Sequence, residues 1–255
     1  MKTYNKFVDY YDEIIRGSGY DINSEVEFLD EMIVKFSPLL TREGQGVGDI
    51  LEFACGTGSI ARELEKKGYN VFGVDLSEEM IKKANNKQKF IIGDMTSINL
   101  KLEYDIILCN YNSVCHLNSW EDWQKFFKNS YKHLKKGGIF IFDILTVFEF
   151  ENMTKDFRGF FNVKGDTICL EMFSHPQPLP CKEGSKYYKW LIKMFINSGE
   201  NKYNLVEEEI KEISFPVDEI KKELEKTGFK IKHLEDFHFG EVTGESERIY
   251  FVVEK

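Results

Sequence analysis

Apolar residues in this chain come in short blocks, at 48–54, 70–75, 88–93, 104–109 and 138–144, and stretches of helical period separate several of them. Blocks such as Tyr104-Asp105-Ile106-Ile107-Leu108-Cys109 are nearly continuous in Ile, Leu and Val. Strands covered on both faces read this way. The intervening periods predict helices over 58–67, 77–84 and 119–134, so the alternation predicts parallel βαβ units. Two further helices are predicted ahead of the first strand, over 4–15 and 24–36. Ser24 fits an N-cap there, with Glu27 completing a capping box, and Gly17-Ser18-Gly19 forms a hinge between the two helices.

After Asp143 the pattern changes to aromatics alternating with polar residues, which favours strands over helices. An antiparallel meander is expected from strands over 157–161, 167–173, 187–195 and 203–213. Pro176, Pro178 and Pro180 break the second strand from the third, and Asn197-Ser198-Gly199-Glu200-Asn201 makes a turn. From Pro216 the α/β pattern resumes, with a helix to Lys226, a Thr227-Gly228-Phe229 turn, a strand to about 235 and a last strand over 248–253. The expected organisation is a core of 1–147 and 215–255, carrying an N-terminal helical lid, with 148–214 as an antiparallel β insertion over an acceptor site. No Gly/Ser-rich linker, internal repeat or low-complexity segment interrupts it.

Candidate chemistry concentrates where the first strand runs into Ala54-Cys55-Gly56-Thr57-Gly58-Ser59. Small residues at 54, 56 and 58 allow main-chain atoms to approach a ligand that Cβ bulk would hold away. Glu52 places a carboxylate at the strand end. Gly56, Gly58 and Ala61 also spell the G-x-G-x-x-A variant of a dinucleotide fingerprint, so spacing alone does not separate a pyrophosphate cofactor from a sulfonium nucleoside. Asp75, at the end of the second strand, suits ribose hydroxyls of either. Glu52 suits an α-ammonium and not a pyrophosphate, and Gly93-Asp94-Met95 after the third strand offers an acceptor and an apolar face for adenine. These features favour S-adenosylmethionine (SAM) over NAD, with an NAD-linked oxidoreductase as the alternative enzyme and a non-catalytic SAM-binding protein as the alternative outside catalysis.

Taken together, Glu52-Phe53-Ala54-Cys55-Gly56-Thr57-Gly58, Asp75, Asp94, the strand at 104–110 and His133 to Asp143 resemble the class I SAM-dependent methyltransferases over most of the chain. Within that class the resemblance is to sugar N,N-dimethyltransferases, through Tyr11 to Asp21, and to uncharacterised bacterial members with a strand-rich insertion, through Ser246 to Phe251. It implies a Rossmann-like seven-stranded sheet, mostly parallel with an antiparallel last strand, helices on both faces and the insertion added. It also implies cofactor contacts from Tyr11, Glu52, Ala54, Gly56, Gly58, Asp75, Leu76, Asp94, Met95 and Asn110, and methyl transfer to a small-molecule acceptor, an amine before a hydroxyl. Asn112 and Ile210 depart from the uncharacterised members, which often carry Asp and His there.

His116 follows the fourth strand closely and is the candidate general base; Asn112, His116 and Trp190 are the candidate acceptor contacts. His175 and His238 are weaker candidates, and His133 and His233 read as surface positions. Trp120 and Trp123 read as packing residues. Glu207-Glu208-Glu209 reads as a solvated strand edge and not a metal site, since consecutive strand residues face opposite ways.

A net charge of −9, with lysines scattered apart from a cluster at 132–136, argues against a nucleic-acid substrate, which needs a local positive surface. The five cysteines include no C-x-x-C pair, so reduced thiols and no metal are expected. Without a long apolar run or an apolar N-terminal stretch, a cytoplasmic protein with no membrane partner is expected. The aromatic meander suits either a lid or a homodimer contact.

Overall fold

The computed structural model describes residues 4–39, 48–84, 89–152, 158–174, 184–237 and 240–255. A 3-10 turn at Phe7–Asp9 precedes α1 (Tyr11–Gly17) and α2 (Ile22–Phe36). There follow β1 (Asp49–Phe53), α3 (Ser59–Lys66), β2 (Asn70–Asp75), α4 (Glu78–Ala84), β3 (Phe90–Ile92), β4 (Tyr104–Cys109), α5 (Trp120–His133), β5 (Leu134–Leu145) and α6 (Val147–Asn152). The second half holds β6 (Arg158–Val163), β7 (Asp166–Ser174), β8 (Lys186–Gly199), β9 (Lys202–Ser214), α7 (Val217–Thr227), β10 (Lys230–Asp236) and β11 (Arg248–Glu254).

The main sheet has seven strands in the order β3-β2-β1-β4-β5-β11-β10. β1 pairs in parallel with β2 and β4, whereas β11 runs antiparallel to both β5 and β10. On one face, Trp123, Phe126 and Phe127 of α5 bury fully against Phe140, Phe142 and Phe251. Leu29 and Ile33 of α2, with Ala61 and Leu64 of α3, cover the other face over Ile50, Ile106 and Ile141. Side chains covered from both sides explain why these strands read as unbroken apolar runs. Gly58 takes φ +73° as the N-cap of α3, a conformation that costs glycine little.

β6 to β9 form a separate four-stranded antiparallel sheet in sequential order. Its inner face carries Ile168, Ile192, Met194 and Ile210, which bury against Phe7, Tyr10 and Ile14 of the N-terminal segment. That contact brings the chain's start over the carboxyl ends of the main strands.

Several expectations are corrected. The helix expected over 4–15 is a 3-10 turn followed by α1, and α2 starts at Ile22, with the Asp21 side chain accepting from Asn23 N. Ser24 is therefore inside the first turn, donating its hydroxyl to Asp21. Asp21 wins the cap because its carboxylate stands one residue before the turn and reaches that N–H. α6 opens the stretch assigned to the β insertion, ahead of its first expected strand and where no helix was expected, with Phe150 buried. His133 is 1% exposed and not a surface residue. Its Nε2 accepts from Leu100 N at 3.1 Å, its Nδ1 donates to Asn129 O at 2.8 Å, and burial lowers its pKa. Glu208 is not simply solvated, because it accepts backbone N–H groups from Asn5 and Phe7. Trp120 and Trp123 do pack, against Phe215. His175, His238, Cys181, Phe157 and the three loop prolines lie outside the described residues; the other four cysteines are buried free thiols. No described helix is long and apolar enough to cross a membrane, and no metal-binding cluster occurs among the described residues.

Candidate active site

β1 ends in a turn of unusual backbone. Ala54 and Gly56 both have φ +54°, and Gly58 follows at +73°. A Cβ built on Gly56 would meet no protein atom within 4 Å, so the backbone there faces open space. That space is a small cavity of about 50 Å³ lined by Tyr11, Glu52, Ala54, Gly56 and Asn110 among others. Gly58 is not among the lining residues; its Cβ position faces the Phe90 ring at 3.2 Å.

Buried polar groups without partners mark this cavity. Glu52 is 3% exposed and its Oε2 has no hydrogen bond; Asn110 is 4% exposed and neither its Oδ1 nor its Nδ2 has one. Such groups are costly unless a ligand satisfies them. Burial, reinforced by the nearby Asp75 carboxylate, raises Glu52 to a pKa of about 8, only partly opposed by Arg62. The strand end is thus mostly neutral near pH 7 until a cation arrives to share it.

Asp75 sits at the end of β2 with Oδ2 accepting from Gly56 N and Oδ1 from Ser77 N, both at 2.8 Å. These bonds tie the glycine turn to β2, and each carboxylate oxygen retains a lone pair for a further donor. Burial raises its pKa. Asp94 turns back on Thr96, accepting from its N–H and hydroxyl. Leu76 is 65% exposed and Met95 half-buried. Asp75, Leu76, Asp94 and Met95 line a second, larger cavity of about 520 Å³ that also includes Ala54 and Gly56.

Across this larger cavity, the sequence candidates Asn112, His116 and Trp190 converge on a residue that sequence reasoning missed. Glu212 of β9, 6% exposed, accepts from Asn112 Nδ2 and from Trp190 Nε1, both at 3.1 Å. His116 Nε2 lies 3.7 Å from Glu212 and 3.4 Å from the Tyr4 hydroxyl. Trp190 pairs with Ile210 and Tyr188 with Glu212, so all four share one face of the second sheet. The signal available was the two-residue step from an inward apolar Ile210 to Glu212. Tyr111 and Asn112 adopt φ +59° and +43°, which turns the chain after β4 toward this face; the Asn112 N–H is held by Asp143 at 2.7 Å.

The N-terminal segment closes the space. Tyr4, Phe7 and Tyr11 line the large cavity, and the Tyr11 ring meets the other two edge to face. Asp12 accepts from the Thr57 hydroxyl at 2.7 Å, joining α1 to the glycine turn, and Tyr10 donates to Asp166 of the second sheet at 2.7 Å. Behind the small cavity, Arg248 pairs with Asp143 at 2.6 Å and stands 3.8 Å from Glu25, whose carboxylate accepts from Tyr250. Burial raises Glu25 despite the neighbouring Arg248.

The site therefore offers bare backbone, an unsatisfied carboxylate and amide, and a carboxylate at the second strand end, beside a roomier aromatic cavity. A compact ammonium-bearing nucleoside fits this set; a pyrophosphate would face Glu52. The antiparallel β11 between β5 and β10 is also not the final-strand direction that an NAD-linked oxidoreductase requires, which removes that alternative.

Comparison with known proteins agrees. The methyltransferase domain family matches residues 50–138. A putative methyltransferase of Geobacillus sp. is 25% identical over 99% of this chain and 100% of its own. The crystal structure of a SAM-dependent methyltransferase from Clostridium acetobutylicum superposes with a TM-score of 0.79, at 27% identity over 98% of both chains. A dTDP-3-amino-3,6-dideoxy-α-D-glucopyranose N,N-dimethyltransferase of Streptomyces fradiae is 27% identical over 44% of this chain and 42% of its own. With strand order, glycine turn and acidic strand ends in agreement, the protein is a SAM-dependent methyltransferase, similar to the class I enzymes, with S-adenosylmethionine as its methyl donor.

Proposed function

We propose that this enzyme methylates a small-molecule acceptor, an amine in preference to a hydroxyl. The observation that carries this reading is the cavity of about 520 Å³ between the glycine turn and the inner face of the second sheet, walled by aromatics and holding the buried Glu212. Its volume suits one small molecule beside the donor. The amino-sugar specificity named for the Streptomyces fradiae relative supports the amine.

Bound SAM supplies an electrophilic methyl group on a sulfonium. In this reading Glu52 and Asn110 hold the amino-acid end, with Tyr11 over it and the Ala54–Gly56 backbone beneath; Gly58 serves by shaping the turn. Asp75 holds the ribose, and Asp94, Leu76 and Met95 hold the adenine. Trp190, Asn112 and the N-terminal aromatics position the acceptor and keep water out, and positioning of this kind can lower a barrier by roughly 7–11 kcal/mol in the best intramolecular models. His116 accepts the acceptor's proton at Nε2, the nitrogen that faces Tyr4 and Glu212. Residues 148–214 act as a cover over the acceptor, with no homodimer needed to complete the site.

The test is release of S-adenosylhomocysteine (SAH) over matched panels of amines, alcohols and phenols. Turnover confined to the hydroxyl panels would refute the amine preference. A His116→Ala variant should keep donor affinity and lose turnover about 10²-fold or more.

A further inference from the structure

Among the described residues lining the large cavity, Asp75, Asp94 and Glu212 present carboxylates and His116 an imidazole; Glu209 and Lys211 border it too, but they alternate with Ile210 and Glu212 along β9 and face the other way. Lys211 stands 3.5 Å from Glu209 and belongs to that pair. Asp75 and Asp94 lie on the donor side, at the ends of β2 and β3. Glu212 is the deep carboxylate on the acceptor side, and the groups that hydrogen-bond to it, the Asn112 amide and the Trp190 indole, are neutral donors.

Neutral donors fix the orientation of a carboxylate without cancelling its charge. A carboxylate held in this way, 6% exposed and among Tyr4, Tyr11 and Trp190, makes a site for a cation: the charge meets Glu212 and the ring faces add to the attraction. The same field acts against anions. A phosphate or carboxylate on the acceptor would enter a low-dielectric space among carboxylates with no unpaired arginine or lysine among the described lining residues to receive it.

From this we infer that Glu212 sets the charge class of the acceptor: an aliphatic amine that enters as a cation and carries no anionic group, which excludes nucleotide-linked amino sugars. The inference rests on the amine reading above and narrows it. Glu212 acts here as the specificity-determining residue, with Asn112 and Trp190 positioning its two oxygens.

The test is binding, measured apart from turnover. Protein saturated with SAH is titrated with putrescine and with the dTDP-linked amino sugar named for the Streptomyces fradiae relative. Putrescine should bind at least tenfold more tightly. Glu212→Gln should lower its affinity about 10- to 100-fold, the range of a charge-assisted hydrogen bond, while SAH affinity stays within about twofold, and Glu212→Asp should recover part of the loss. Equal or tighter binding of the nucleotide sugar by the unaltered protein overturns the inference, as does unchanged putrescine binding by Glu212→Gln. Putrescine that binds as expected but is never methylated, in a protein that turns over hydroxyl acceptors, would refute the amine reading and leave the charge rule standing.

Discussion

If Glu52 is mostly protonated before the donor binds, binding must expel its proton, and the consequences are numerical. With a ligand-free pKa of about 8, about 0.9 of the molecules hold that proton at pH 7. If, as proposed, the donor's α-ammonium pairs with Glu52, that pairing stabilises the carboxylate and close to one proton leaves per donor bound. Ionising Glu52 at pH 7 costs about 1.4 kcal/mol, and each unit of pH below that adds a similar amount. Donor affinity should therefore weaken about ninefold from pH 7 to pH 6. Glu52→Gln removes the titrating group and should flatten both effects. Isothermal titration in buffers of different ionisation enthalpy counts the protons directly. No proton release at pH 7 in the unaltered protein, or an equal pH slope in Glu52→Gln, would refute the reasoning, whatever the variant's absolute affinity.

Further measurements probe the same architecture. In the ligand-free protein Glu52 is more basic folded than unfolded, so its contribution to stability is largest below about pH 4.5 and declines through about pH 8, by about 1.4 kcal/mol per unit across that window. Thermal melts should show Glu52→Gln losing less stability over this range than the parent. Gly56→Ala puts a Cβ on a residue at φ +54°, facing the cavity; it should cost about 1–2 kcal/mol of stability and weaken donor binding more than tenfold by titration, and unchanged affinity would count against a ligand over this backbone. Thr57→Val deletes the hydroxyl that Asp12 accepts. It should loosen α1 by about 0.5–1.5 kcal/mol and speed SAH dissociation in stopped flow. Trp123→Ala, at a fully buried side chain bonded to Leu117 O, should cost about 3–5 kcal/mol in urea unfolding, and a loss below about 1 kcal/mol would count against its place in the core.

Much of the main sheet was legible because its central strands are covered by helices on both faces. Ile106, Ile107 and Leu108 need no knowledge of a partner to be recognised as interior, since both sides of that strand are apolar. The N-terminal segment was harder to read. Phe7, Tyr10 and Ile14 were consistent with a helix face, yet their partners are Ile168, Ile192 and Met194, more than 150 residues away, and that distant sheet decides where the segment turns. His133 failed for a related reason. A polar residue at a helix end is ordinarily solvated, and only the crossing of Leu100 over α5 supplies a donor that makes its burial tolerable.

The site divides along the same line. The donor half is written in a local code, because a strand that ends in a carboxylate and small residues must turn sharply whatever the remaining chain does. Glu52, Gly56 and Asp75 are therefore readable within 25 residues of one another. Their protonation is not, since the rise of Glu52 to about 8 comes from burial under elements that the motif does not contain. The acceptor half has no local code. Glu212 became visible through the register of β8 with β9, where Trp190 stands opposite Ile210 and Tyr188 opposite Glu212, and a slip of one residue would have turned Glu212 to the outer face. Asn112 then acquires a physical account that the sequence did not offer. A carboxylate at that position would repel Glu212, whereas its amide donates at 3.1 Å; the amide at 112 and the carboxylate at 212 form one arrangement.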